Sequence, residues 1–168
     1  MKVPFHPQGG SRRISQLQIN GCRWLGDFRE ETAEHMAGQT FQINQSGQLE
    51  TISVYCEMVH RQGKVRMSLH RFDEEEHNWG PALGIQEMEI PKGSDPTWVD
   101  FNLGQVSLDG NSRYGFRLQT QDALIALGEA VWGNDKNDWT GEEWIAKGNE
   151  KGGHYFRYFS LVYSVGMN

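Results

Sequence analysis

At 168 residues the chain is the size of a single domain. Hydrophobic residues make up 37% and charged residues 23%, which is polar for a globular protein but too rich in core formers for a disordered tail. A net charge of −6 argues against a protein that tracks nucleic-acid phosphates. No apolar run approaches the ~18 residues of a membrane-spanning helix, so membrane insertion is not expected.

Residues 1–26 read as an extended lead-in, with Pro4, Pro7 and the pair Gly9-Gly10 breaking any periodicity. They carry no apolar stretch of the kind a secretory signal uses, and the compartment stays open. Asp27 then offers an N-cap with Glu30 three residues on. Phe28, Thr32 and His35/Met36 share a helical face before Gly38, so one short helix is expected here.

From Gln39 the period changes to two. Phe41 and Ile43 precede a turn at Gln45-Ser46-Gly47, and Ile52, Val54, Cys56 and Met58 then alternate with polar residues. Val65, Met67 and Leu69 form the next run, and Ile85 to Ile90 a shorter one. Val99, Phe101 and Leu103 follow, then Tyr114, Phe116 and Leu118. Ala123 to Trp132 is more continuously apolar, and Tyr155 to Val165 closes the series. Strands without intervening helices predict an antiparallel sandwich of about eight strands over residues 27–168.

The order of several short motifs carries a resemblance. Gln45-Ser46-Gly47-Gln48-Leu49 leads into a strand, Gly80-Pro81-Ala82-Leu83 precedes Trp98-Val99-Asp100-Phe101, and Val106-Ser107-Leu108-Asp109-Gly110 runs into Tyr114-Gly115-Phe116. Together with Phe159-Ser160-Leu161-Val162-Tyr163 they resemble galactose-binding-like and carbohydrate-binding-module jelly-roll domains across residues 38–165. That resemblance implies a jelly-roll β-sandwich that binds an oligo- or polysaccharide without catalysis. It also implies a secreted or surface-associated protein, and a structural calcium whose ligands have no evident place in this sequence.

Three of the six tryptophans fall between Trp132 and Trp144, among carboxylates and amides. Indole faces stack on the C–H faces of sugars, while Asp and Asn side chains hold hydroxyls. The expected ligand-binding residues are therefore Trp132, Asp135, Asn137, Asp138, Trp139 and Trp144, with Arg117 on the outward face of its strand beside Gln119. The competing reading is packing, with Trp132 ending a buried strand and Trp144 plugging one end of the fold. Trp98 and Trp79 either extend a binding surface or cover a sheet edge.

Other chemistries find less support. A calcium loop begun at Asp135 fails, because its glycine is Gly141 and its twelfth residue is Ala146. The six histidines show no zinc spacing, and Gly110-Asn111-Ser112-Arg113-Tyr114-Gly115 is not a nucleophile elbow. Cys22 and Cys56 are expected as thiols rather than a disulfide. An enzyme is not expected. The alternative to a saccharide binder is an assembly domain whose partner is a second copy or another protein.

Overall fold

The computed structural model describes residues 2–4, 12–27, 35–93, 95–131, 141–148 and 152–168, and these contain fourteen β-strands. In chain order they are β1 (Arg12–Gln16), β2 (Gly21–Gly26), β3 (His35–Ile43), β4 (Gly47–Arg61), β5 (Gly63–Asp73), β6 (Asn78–Ile90) and β7 (Thr97–Phe101). Then come β8 (Ser107–Leu108), β9 (Ser112–Thr120), β10 (Leu124–Val131), β11 (Glu143–Lys147), β12 (His154–Phe156), β13 (Phe159–Leu161) and β14 (Tyr163–Met167). Every pairing is antiparallel, and the main path runs β1-β14-β4-β10-β2-β3-β9-β5-β6. Among the described residues no helix is long and apolar enough to cross a membrane.

The expected N-terminal helix is corrected by this arrangement. No helix occurs among the described residues, and His35 and Met36, placed at its end, open β3 instead. Residues 28–34 lie outside the described residues. The physical reason is pairing on both flanks. Ala37 to Ile43 bond to β9, while His35 to Gln39 bond to β11, so the strand satisfies backbone groups along its length. A helical face of a few residues offers less than that.

Residues expected only as lead-in also join the sheet. Arg12–Gln16 pairs with β14, and Gly21–Gly26 pairs with Leu124–Glu129 of β10. The closing run from Tyr155 to Val165 is divided among β12, β13 and β14, because each meets a different neighbour: β11, β10, and β4 with β1.

The core forms where inward side chains of several strands meet. Phe41 of β3, Phe116 of β9 and Tyr163 of β14 are buried, with ring centres 5.9–6.4 Å apart. Ile52, Val54, Met67, Leu69, Phe101 and Leu118 pack into the same cluster. Their alternation in sequence matches the inward face of each strand. Burying one such side chain stabilises the fold by ~1.5–3 kcal/mol.

Candidate functional site

Two of the expected site residues come together on the outward face of the sheet. Cross-strand register aligns Trp144 of β11 with Gly38 of β3, Gly38 with Arg117 of β9, and Arg117 with Ser68 of β5. The Arg117 guanidinium lies over two indoles, 4.5 Å from the ring centre of Trp79 and 4.6 Å from that of Trp144, which themselves meet edge to face with centres 5.5 Å apart. The flat cation thus meets two negative π-faces. Burial pushes its pKa down, yet a guanidinium remains a cation throughout the working range.

Glycines make room for this stack. A Cβ on Gly38 would come within 2.4 Å of the Phe116 carbonyl oxygen and 3.2 Å of the Trp144 ring. One on Gly115 would come within 2.6 Å of Trp79. Glycine inside a strand marks a close approach. Gly38 serves that purpose in the middle of β3 and terminates nothing.

The polar atoms of the cluster have defined partners. Trp79 Nε1 donates to Tyr155 Oη at 2.7 Å, and Trp144 Nε1 donates to the Gly152 carbonyl at 2.8 Å. Burial raises the Tyr155 pKa. His77 stacks on Tyr155 at 4.4 Å and approaches Glu142 at 3.7 Å. His70 sits edge-on to Trp79, between the Gly80 carbonyl and Ser68 Oγ. Because the carbonyl only accepts, Nδ1 carries the hydrogen and Nε2 accepts from the serine. Burial lowers the His70 pKa, which suits that neutral form.

Trp144 is only 2% exposed. Its N–H and one ring face are used within the protein, and the cation over that face is Arg117 itself. Trp132, Asp135, Asn137, Asp138 and Trp139 lie outside the described residues. Trp79 belongs to β6 rather than to a loop, and Trp98 is edge-on to Tyr55, donating to the Pro4 carbonyl.

A groove that sequence reasoning missed opens at the start of β3. His35 is paired both with Gly26 of β2 and with Lys147 of β11. The cavity there holds about 430 Å³. Trp24, Met36, Ile145 and Ala146 supply its apolar wall, while Arg23, His35, Lys147 and His154 supply polar groups. Such a volume and mixture suit a small organic ligand. No single segment signals it, since the residues come from four strands.

Behind the groove, Arg23 ties β2 to β10 and β11. Its Nε lies 2.9 Å from Glu129 Oε2 and 3.0 Å from Glu143 Oε2, and Nη2 also reaches Glu129 at 2.9 Å. Glu143 is fully buried, and its other oxygen, Oε1, has no formal donor. Burial, followed by the neighbouring Glu129, drives the Glu143 pKa far above the usual carboxylate range. That direction favours the protonated form of Glu143. With Glu143 neutral, the group of three carries one positive and one negative charge.

Among the described residues no three His, Cys, Asp or Glu side chains gather as a metal site. Cys22 and Cys56 are free thiols, the first exposed and the second buried. Burial raises the Cys56 pKa to about 11, so it behaves as an apolar core residue. No protein-family model matches the chain, and no curated protein matches it.

Proposed function

We propose that the chain is a non-catalytic carbohydrate-binding domain of the jelly-roll sandwich type, with its saccharide in the groove between β2 and β11. The observation that carries this reading is the groove itself. It pairs an indole and an aliphatic wall with a rim of hydrogen-bonding side chains, the two surfaces a sugar ring presents. Trp24 is the stacking surface, and His35, Lys147 and His154 meet hydroxyls. Trp132, Asp135, Asn137, Asp138 and Trp139, which precede β11 in sequence, are assigned further sugar contacts on the strength of their side-chain chemistry alone. Trp144 and Arg117 hold β11 and β9 in place rather than touch the sugar. The order of motifs that resembles galactose-binding-like domains supports the same conclusion.

The test is affinity electrophoresis and calorimetry against a panel of soluble polysaccharides. Wild-type protein is expected to bind at least one, and Trp24→Ala to lose that binding while keeping its circular dichroism spectrum. Binding unaffected by Trp24→Ala would move the site elsewhere. A second reading, an assembly domain, draws on Leu83 and Ile85, which are 43% and 54% exposed on β6 at the end of the sheet. A stable oligomer indifferent to every polysaccharide would favour it.

A further inference from the structure

We infer that β6 is a dimerisation edge, pairing antiparallel with β6 of a second copy about a two-fold axis through Ile85. β6 ends the sheet path, with β5 on one side and no strand on the other among the described residues. Its beginning is covered, since Trp79 Nε1 donates to Tyr155 Oη. Beyond Pro81 the edge is open. There Leu83, Ile85, Glu87 and Glu89 are exposed at alternate positions.

The backbone of this stretch points outward at those same positions. Lys64 of β5 donates its N–H to Asp122 Oδ1 at 2.9 Å, and its carbonyl accepts from Thr120 Oγ1 at 2.6 Å, both on the β9 side. Its cross-strand partner Glu89 thus turns its own N–H and C=O away from β5. The register is regular from Gly63 to Leu69, so Glu87, opposite Arg66, and Ile85, opposite Ser68, do the same. Among the described residues no backbone bond to another element satisfies these three. A row of free donors and acceptors beside exposed aliphatic side chains is a template for one more strand.

The edge complements itself, which makes a second copy its occupant. With the axis at Ile85, the two isoleucines face each other and exchange both backbone hydrogen bonds. Leu83 of each copy then faces Glu87 of the other, and no acid faces an acid. Each Glu87 is already answered within its own copy by Arg66, 3.8 Å away, and Glu89 lies opposite Lys64. Moving the axis to Glu87 would set like charges directly opposite, which is destabilising. Moving it to Leu83 would place Pro81, which has no N–H, opposite Ile85. Charge and proline together select the Ile85 register. Both β2–β11 grooves stay open in such a dimer, because none of their lining residues belongs to β5 or β6.

The experiment is sedimentation velocity of the full chain without ligand, from about 5 to about 200 μM, where interfaces of modest size assemble. Wild type is expected to pass from monomer to dimer and no further, since a two-fold contact closes on itself. Ile85→Lys should raise the dissociation constant roughly tenfold or more. Its melting temperature should be unchanged, because the side chain is exposed. The register is read by cysteine cross-linking in a Cys22→Ser background, which removes the exposed native thiol. On the axis the two Cα atoms of residue 85 stand ~5.5 Å apart, within disulfide reach. Ile85→Cys should therefore form a covalent dimer on mild oxidation, and Glu87→Cys should not. A chain monomeric throughout, a dimer indifferent to Ile85→Lys, or cross-linking through Glu87→Cys instead would overturn the assignment. Saccharide binding is scored separately, in a groove that shares no strand with this edge, so neither result decides the other.

Discussion

The indole of Trp79 rests directly on the bare backbone of Gly115. A single added methyl group at that glycine would come within 2.6 Å of the ring. Because the same indole forms one side of the Arg117 stack, the glycine sets where the arginine stands. Gly115→Ala is therefore expected to push Trp79 outward and cost ~1–3 kcal/mol, as overpacking does. The near-ultraviolet circular dichroism of tryptophan should change at the same time. An unaltered aromatic spectrum would mean that the contact is not maintained in solution.

Arg117 should not tolerate its usual conservative replacement. Lysine keeps the charge but presents a compact ammonium, which cannot spread a planar face over the edge-to-face pair of Trp79 and Trp144. Arg117→Lys is expected to lower stability by about 1 kcal/mol in urea unfolding. Parity with wild type would show that any cation at this place suffices.

Glu143 gives the protein a pH dependence of defined sign. Its folded pKa lies above its unfolded one, through burial first and the neighbouring Glu129 second. The folded chain therefore binds a proton that the unfolded chain releases near pH 4.5. That contribution is fully present below the unfolded value and is lost as the pH rises through the folded one. Glu143→Gln keeps a neutral donor of the same shape. Its melting temperature is expected to fall less than wild type between pH 5 and pH 9. Parallel profiles would show that Glu143 is ionised throughout.

Trp144 and Trp139 should separate cleanly on substitution. Trp144 is buried against Trp79 and Gly38, so Trp144→Ala should cost ~3–5 kcal/mol as a large-to-small core change. Trp139→Ala is expected to weaken saccharide binding by ~2 kcal/mol and to leave the melting temperature nearly unchanged. A Trp139→Ala variant as unstable as Trp144→Ala would make the whole segment a packing element.

Strand alternation was the most legible signal. The apolar positions of the runs Ile52 to Cys56, Val65 to Leu69 and Tyr114 to Leu118 are buried as their period-two spacing predicts. Met58, expected on the same face, is instead 47% exposed, beyond a register irregularity in the pairing of β4 with β10. β1 and β2 were less visible. Arg12–Gln16 carries only Ile14 as an aliphatic side chain, and its place is set by β14, at the other end of the sequence. The helix expected near His35 shows the opposite weakness. A cap and a short apolar face describe local preference, and non-local pairing with β9 and β11 overrode it. The juxtaposition of Arg117 with Trp144 could be guessed from outward-facing positions, but their clamp depends on Trp79, which arrives from β6. The β2–β11 groove had no local signature at all, since Trp24, His35 and Lys147 meet only through tertiary pairing.

The pairing of β1 with β14 has a consequence for how the chain is made. Arg12 lies opposite Met167 and Gln16 opposite Tyr163, so β1 bonds to a strand synthesised long after it. Long-range closure of this kind is slow compared with hairpin formation. Throughout synthesis β1 remains an unpaired strand, and the edge of β4 that will receive β14 stays open with it. The nascent protein therefore carries two bare sheet edges until β14 emerges. The polar make-up of β1, with Arg12, Arg13, Ser15 and Gln16 around a single isoleucine, is what keeps such an edge from pairing with the wrong chain while it waits.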